Sequence, residues 1–196
     1  MDSFEAYLDE MERVVRDISR RDVGAVVDVL FEAWSSGRTV YIVGNGGSAS
    51  TASHMMNDLN KFTTVEDQPR FRAVALTDNV PFMTAIGNDL EYAEIFVEPM
   101  RNLFTPDDVL IAISGSGNSP NIVRAVEYAN LLGAATIGLC GSPGGQLRLL
   151  AKYPVVIPSE RIGQQEDGHL ILNHAIATAL RGRIIARAES ARAAGA

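Results

Sequence analysis

Five short runs of consecutive apolar residues divide the chain, and helix-like segments separate them. The runs lie at residues 39–43, 71–76, 109–114, 135–140 and 153–157. Runs of this length are typical of strands that are buried on both faces of a sheet. Helices are predicted at about 48–61, 80–88, 119–132, 145–151 and 164–190. Because strands and helices alternate, the sequence predicts an α/β fold, a three-layer sandwich whose mostly parallel five-stranded sheet is flanked by helices.

The residues before the first strand predict a pair of helices. Phe4, Leu8 and Met11 recur at three- or four-residue spacing, and a second periodic run ends near Trp34. An amphipathic helical hairpin in front of a compact domain often packs against a partner subunit. We therefore predict one domain over residues 1–196, with a helical extension at 1–36 and an α/β core at 37–196.

Charge and cysteine content limit the partners and the compartment. A formal net charge of -7 argues against a large nucleic-acid-binding face, although backbone N–H groups can still bind an anionic ligand. No apolar stretch has the length of a membrane span, and the acidic N-terminus lacks the apolar core of a signal peptide. The single cysteine, Cys140, excludes an intrachain disulfide. We expect a cytoplasmic protein with neither nucleic acid nor a membrane as partner.

Two glycine- and serine-rich segments follow predicted strands and precede predicted helices. The first loop covers residues 44–50 and the second loop covers residues 114–120. Glycines allow a ligand to approach the backbone, and a helix start presents free N–H groups and a partial positive charge. Ser48 could cap its helix or donate to a ligand oxygen. One such loop would equally fit a tight turn, but two at the carboxyl edge of a parallel sheet predict a phosphate site. Neither loop has the spacing of a P-loop or of a dinucleotide-binding turn.

Histidines and acidic residues recur on two of the predicted helices. His54 and Asp58 are four residues apart, so they face the same side of one helix. Glu166 and His174 are eight apart on the last helix, which turns them about 80° from each other. Two imidazoles and two carboxylates could bind zinc or a similar divalent ion. Surface and capping roles fit the same spacing, so the pattern alone leaves both interpretations open.

Several motifs occur in a characteristic order along the chain. They are Gly-Asn-Gly-Gly-Ser-Ala at 44–49, His54, Asp-Leu at 58–59, Thr-Asp-Asn at 77–79, Gly-Asn-Asp at 87–89, Ile-Ser-Gly-Ser-Gly-Asn-Ser at 113–119 and Gly-Gly at 144–145. In this order they resemble the sedoheptulose-7-phosphate isomerases, or phosphoheptose isomerases, of the sugar isomerase (SIS) superfamily. The resemblance extends over nearly the whole chain. It implies an SIS-type fold and a homotetramer whose sites are completed by a neighbouring subunit.

The resemblance also implies a set of substrate contacts. Serines of the second loop would bind the phosphate, the first loop would line the sugar, and two residues would reach in from the helix after the second strand. The implied substrate-binding residues are Asn45, Gly46, Gly47, Ser48, Asn88, Asp89, Ser114, Gly115, Ser116, Ser119 and Glu166.

Four residues occupy the positions of the family's ligands for a divalent metal, and Zn²⁺ is the expected ion. The implied ligands are His54, Asp58, Glu166 and His174. The family has a glutamate in place of Asp58 and a glutamine in place of Glu166; a one-residue insertion would instead put Gln165 in the glutamine's place. A threonine often found at the position of Gly115 is missing. An arginine expected shortly after the first acid is also absent, with Lys61 nearby.

The reaction that the resemblance implies is an aldose–ketose isomerisation. D-sedoheptulose 7-phosphate would become D-glycero-D-manno-heptose 7-phosphate through an enediol(ate), with Asp58 and His174 as the acid–base pair. The alternatives are a non-catalytic phosphosugar-binding or DnaA-binding scaffold, an isomerase of another sugar phosphate, and a sugar-phosphate-sensing regulator. The presence of His54, Asp58 and His174 argues against lost catalysis, and the chain lacks a DNA-binding module.

Overall fold

A single sheet in which every strand is parallel forms the centre of the molecule. The computed structural model describes residues 3–194. The strands are β1 (Thr39–Gly44), β2 (Arg72–Ala75), β3 (Val109–Ser114), β4 (Ala135–Gly141) and β5 (Tyr153–Ile157). They pair in the order β2-β1-β3-β4-β5. This confirms the predicted five-stranded α/β sheet. The order reverses between β1 and β3, and open α/β sheets bind ligands at such a switch point.

Helices cover both faces of the sheet. Within residues 3–194 they are α1 (Phe4–Asp17), α2 (Arg20–Ser35), α3 (Gly47–Asn57), α4 (Val80–Asp89), α5 (Val97–Leu103), α6 (Pro120–Leu131), α7 (Gly145–Leu150) and α8 (Ile162–Ala194). A π-helical turn, Asp58–Phe62, continues α3, and 3₁₀ turns lie at Leu76–Asp78 and Tyr92–Glu94. The sequence did not predict α5, which is only seven residues long and contains Pro99. Over this part of the chain, no helix has the length and apolar character that a bilayer span requires.

Alternate residues of β1, β3, β4 and β5 enter two separate apolar cores, whereas Arg72 and Val74 of the edge strand β2 are exposed. In β1, Val40 and Ile42 pack with residues of α2, α3 and α8, whereas Tyr41 and Val43 pack with residues of α4 to α7. This is the two-residue period of a strand that is covered on both sides. All six residues of β3 are buried. Continuous apolar runs in the sequence therefore reflect strands that have no solvent-facing side.

The N-terminal helices pack on the first of these cores. Met11 is buried there, whereas Phe4 and Leu8 are exposed to solvent. The Tyr7 hydroxyl donates a 2.5 Å hydrogen bond to the Asp167 carboxylate at the start of α8. This bond, together with burial, raises the pKa of Tyr7 to about 12. The contacts join α1 to α8, and the division of the domain at residue 36 stays a prediction.

Candidate active site

The first loop turns the chain sharply from β1 into α3. Gly46 occupies the N-cap position with φ 54°, and no side chain caps the helix there. A Cβ on Gly44 would lie 2.4 Å from the carbonyl oxygen of Ser48, so the turn requires a bare residue. Ser48 itself lies buried in the first helical turn. Because the N-cap position belongs to Gly46, Ser48 does not cap α3.

The second loop brings three predicted serines close together. Ser114 Oγ accepts a 3.2 Å hydrogen bond from the Gly117 amide and lies 3.4 Å from Ser119 Oγ. Ser116 Oγ accepts from the Asn118 amide at 3.2 Å. The Ser116 hydroxyl and one hydroxyl of the Ser114–Ser119 pair keep a proton for a ligand oxygen, because a hydroxyl that accepts one bond can still donate another. The arrangement suits a phosphate at the start of α6.

Gln165 packs directly behind the second loop. A Cβ on Gly115 would lie 2.5 Å from Gln165 Oε1 and 2.7 Å from Ile162 Cδ1. The Gln165 side chain is buried and donates a 2.8 Å hydrogen bond to the carbonyl of Ser159. Side chains of α8 thus occupy the space that a side chain at residue 115 would need. This explains why the chain has a glycine where a threonine was expected.

Two side-chain amides, of half-buried Asn45 and buried Asn121, connect the loops across the switch point between β1 and β3. Asn45 and Asn121 exchange reciprocal hydrogen bonds of 2.9 and 2.8 Å, and the Tyr92 hydroxyl donates to Asn45 Oδ1 at 3.2 Å. Asn121 is 1% exposed. The sequence analysis missed both Asn121 and Tyr92. The available signal for Asn121 was its place next to the second loop, in the first turn of a predicted helix.

Asn88 and Asp89 lie at the C-terminal end of α4. Both are exposed, and Asn88 donates a 2.8 Å hydrogen bond to the Asp89 carboxylate. Their predicted contact with a substrate stays a prediction.

His54, Asp58 and His174 form one compact cluster. Their nearest donor atoms all lie within 4.8 Å of one another. The two Nε2 atoms are 3.2 Å apart, and Asp58 Oδ2 lies 3.5 Å from that of His54 and 3.8 Å from that of His174. The i,i+4 pair on α3 therefore meets a histidine of α8, as the resemblance implied. The cluster borders a cavity of about 350 Å³ that is also lined by Phe62, Ala177 and Thr178.

Glu166 is not part of this cluster. Its carboxylate lies against the first loop, where a Cβ on Gly47 would be 2.3 Å from Glu166 Oε1. Eight helical residues separate it from His174, which corresponds to a rise of about 12 Å along the helix axis. The eight-residue spacing directs both side chains towards neighbouring sides of α8, but it separates them along the helix axis. Of the two alternatives weighed from the sequence, Glu166 contacts the first loop and Gln165 the second.

Asn173 is a site residue that the sequence analysis missed. Its Nδ2 donates a 2.9 Å hydrogen bond to Asp58 Oδ2, the same oxygen that faces both imidazoles. Asn173 is 0% exposed, and its Oδ1 has no partner among residues 3–194. Asp58 is 9% exposed. A buried amide donor stabilises the charged form of a carboxylate and limits its rotation. Asn173 therefore holds the Asp58 carboxylate in the cluster.

The donor set and its spacing fit a tetrahedral metal. Zinc–ligand distances of about 2.0–2.2 Å and tetrahedral angles place neighbouring donor atoms about 3.3–3.6 Å apart. The observed separations of 3.2, 3.5 and 3.8 Å are close to these values. Two imidazoles and one carboxylate are also a donor set that zinc accepts. Three protein ligands leave one corner open, which is the arrangement of catalytic rather than structural zinc sites.

His169 is fully buried on the inner side of α8, and neither ring nitrogen has a hydrogen-bond partner among the described residues. Burial lowers its pKa to about 4, and the nearby backbone of Cys140 opposes that shift only partly. The folded protein therefore keeps this ring neutral, while the unfolded chain binds a proton near pH 6.5.

Stability is accordingly expected to fall as the pH drops from about 6.5 towards 4. The depressed pKa means that the unfolded state binds the extra proton, so acid favours unfolding. The loss between pH 7 and pH 5 is about 2 kcal/mol for this ring. Urea unfolding of wild type and of His169→Gln at both values measures it. If the variant loses as much stability as wild type, the effect does not come from His169.

Comparisons with known proteins agree with this geometry. A sequence profile of the SIS domain matches residues 5–141. The phosphoheptose isomerase of Trichlorobacter lovleyi is 37% identical over 152 residues, which are 78% of this chain and 77% of that protein. The phosphoheptose isomerase of Geotalea daltonii is 34% identical over 174 residues, or 89% of this chain and 90% of that protein.

Solved structures give the same result. Phosphoheptose isomerase from Neisseria gonorrhoeae superposes with a TM-score of 0.84 at 28% identity, covering 91% of this chain and 97% of that one. The enzyme from Francisella tularensis superposes with a TM-score of 0.85 at 26% identity, covering 91% and 96%.

Proposed function

This chain belongs to the SIS-domain phosphoheptose isomerases, and from that premise we propose that it isomerises D-sedoheptulose 7-phosphate to D-glycero-D-manno-heptose 7-phosphate. The observation that carries the proposal is the arrangement around α3. This helix begins at the first loop and carries His54 in its last turn, and the π-helical turn that continues it carries Asp58; both residues meet His174. The first loop, which would line the sugar, and the acid–base cluster therefore lie at opposite ends of one helix.

The spacing between these ends supports a long substrate. Gly47 and His54 are seven helical residues apart, which is a rise of about 10 Å. Eight bonds separate C1 from phosphorus in a heptose 7-phosphate, and an extended chain gains roughly 1.2 Å per bond, or about 10 Å. A heptose 7-phosphate whose phosphate is held at the second loop could thus extend along the first loop and present C1 and C2 to the cluster.

Binding energy at the phosphate would serve to fix the reacting carbons. The hydroxyls of Ser114, Ser116 and Ser119 and the amides at the start of α6 would hold the phosphate oxygens. Asn45 and Glu166 would meet sugar hydroxyls from the first loop and from α8. Such remote contacts convert a random encounter into a fixed geometry at C1 and C2.

Asp58 and His174 would move the protons. The reaction takes a proton from C1 and protonates O2 to give the enediol, then returns a proton to C2 and removes one from O1. One group of the pair would act at carbon and the other at oxygen. Asn173 would keep Asp58 oriented for this task. A divalent ion held by His54, Asp58 and His174, for which zinc is our choice, would polarise the carbonyl and stabilise developing negative charge.

A homotetramer and a cytoplasmic location belong to the same proposal. Phe4 is 73% exposed and Leu8 62% exposed on α1, and Ile171 is 40% exposed on α8. These apolar side chains would be covered by a neighbouring subunit. Cys140 is a free, buried thiol whose pKa burial raises to about 11, so it suits a reducing compartment without being reactive.

Direct turnover tests the function. Purified protein supplied with Zn²⁺ is expected to convert D-sedoheptulose 7-phosphate, with a higher kcat/KM than for pentose or hexose phosphates. An enzyme that prefers a shorter sugar phosphate would move the proposal to another substrate. Binding of the heptose phosphate without any turnover would support the scaffold alternative instead.

His54→Ala and His174→Ala are each expected to weaken Zn²⁺ binding by at least about 10²-fold, because each removes one of three protein ligands. A chromophoric chelator competing for the metal measures this. Wild type should bind one ion per chain. The third histidine provides the control, since His169→Gln should bind zinc as wild type does. Equal zinc affinity in all four proteins would contradict the site.

Asn173→Leu is expected to lower zinc affinity by about 10–100-fold, the usual cost of losing a group that orients a ligand. The same chelator titration measures it. Asn57→Leu, on the exposed side of α3, is the matched control and should leave the affinity unchanged. If Asn173→Leu binds zinc as tightly as wild type, the amide does not position Asp58 for the metal.

A further inference from the structure

A second pocket lies next to the cavity of the His/Asp cluster and is lined by cations. Lys61, Arg70 and Arg181 surround it, together with Phe62 and Thr64, and its volume is about 400 Å³. These residues come from three separate segments of the chain. Phe62 also lines the cavity of the His/Asp cluster, so its ring forms a wall between the two spaces.

The charges in this pocket are not neutralised by the protein. No acidic residue lines it, and none of its three cations forms an ion pair with a carboxylate among residues 3–194. Elsewhere Arg101, Arg124 and Arg183 pair with acids. Three unpaired cations in one pocket are notable in a chain of net charge -7. Their mutual repulsion is relieved by an anion.

Arg181 is held in place by contacts that leave its donors available. Its Nε donates a 3.1 Å hydrogen bond to the carbonyl of Phe62, and its guanidinium carbon lies 5.7 Å from the centre of that ring. The two terminal nitrogens of a guanidinium fixed in this way can form a fork around two oxygens of a phosphate. Lysine adds a mobile point charge on another side.

We propose that Lys61, Arg70 and Arg181 form a second anion site, which binds a phosphate group separately from the two glycine- and serine-rich loops. The ligand is a tetrahedral oxyanion, either inorganic phosphate or the phosphate of a small monoester. The site does not depend on isomerase activity, because none of its three cations belongs to the loops or to the His/Asp cluster. Because Phe62 lines both spaces, a bound anion would lie beside a residue that also lines the cavity of the His/Asp cluster.

Calorimetric titration of the intact oligomer with inorganic phosphate and, separately, with glycerol 3-phosphate tests the proposal. Wild type is expected to bind two phosphates per chain. Lys61→Gln/Arg70→Gln should lose one of them, with at least about tenfold weaker binding, and Ser116→Ala/Ser119→Ala should lose the other. The affinity at the cationic pocket should fall as salt is added. If both probes bind at the cationic pocket, its ligands include phosphate monoesters. If only inorganic phosphate binds there, its ligand is the free ion.

Arg13→Gln/Arg21→Gln removes the same charge from exposed positions on α1 and α2 and should keep both binding events. Unchanged phosphate binding in Lys61→Gln/Arg70→Gln would overturn the proposal. So would a change of oligomeric state in that variant, measured by light scattering, because the cations would then be facing a neighbouring subunit rather than a ligand.

Discussion

Asp58→Asn is expected to lower kcat for D-sedoheptulose 7-phosphate by about 10²–10⁴-fold, with a much smaller change in KM. The substitution keeps the shape of the side chain but removes the base, and the phosphate contacts lie in the second loop, which is not part of the cluster. Asp58 is the only carboxylate in the cluster, and its Oδ2 faces both imidazoles. Initial rates over a range of substrate concentrations, with Zn²⁺ supplied, separate kcat from KM.

Asp107→Asn is the control, because it makes the same chemical change at an exposed residue outside the site. It should retain wild-type kinetics. Zinc content and thermal unfolding of Asp58→Asn show whether a lost metal or a damaged fold accounts for the result. A zinc-loaded, folded Asp58→Asn with wild-type kcat would exclude this carboxylate from proton transfer.

The parts of this structure that the sequence predicted best are those fixed by local pattern. Strands buried on both sides leave unbroken apolar runs, so β1 and β3 could be located to within a residue or so. The i,i+4 spacing of His54 and Asp58 likewise fixed their common face before any tertiary contact was known. In contrast, α5 has too few residues for a clear helical period, and Pro99 within it indicates a break.

The missed residues are those whose role depends on a distant partner. Asn173 and Asp58 are 115 positions apart, and Asn45 and Asn121 are 76 apart. No local period encodes such pairs. An asparagine on a helix also reads as a surface or capping residue until its burial is known. The resemblance grouped His174 with His54 and Asp58, and these three residues lie together in the structure. It also grouped Glu166 with them, whereas Glu166 lies against the first loop.

Two neighbouring residues at the start of α8 pack against glycines of the two loops. Gln165 fills the space beside Gly115, and Glu166 fills the space beside Gly47. A side chain at either glycine would displace one of them. The two loops and the first turns of α8 therefore have to change together, which makes this contact a natural place for substrate specificity to differ between relatives.

Gly117→Ala is expected to reduce kcat/KM by about 10²-fold and to lower the melting temperature by roughly 6–12 °C. Gly117 has φ 65°, and a Cβ there would lie 1.9 Å from the carbonyl oxygen of Gly144. Backbone strain and this overlap together cost about 3 kcal/mol. The Gly117 carbonyl also accepts from the Leu147 amide at 2.9 Å, so relief of the overlap must move the second loop. A shift of about 1 Å at a positioning loop has a cost of this size in rate.

Gly133→Ala separates backbone strain from that overlap. Gly133 has a similar left-handed φ of 83°, but a Cβ there would have nothing within 4 Å. It should lose only about 1 kcal/mol and keep wild-type kcat/KM. Thermal unfolding and steady-state kinetics of the two variants, measured side by side, decide the point. If both variants lose the same stability and both keep full activity, contact between the second loop and the turn at Gly144 does not hold the phosphate-binding serines in place.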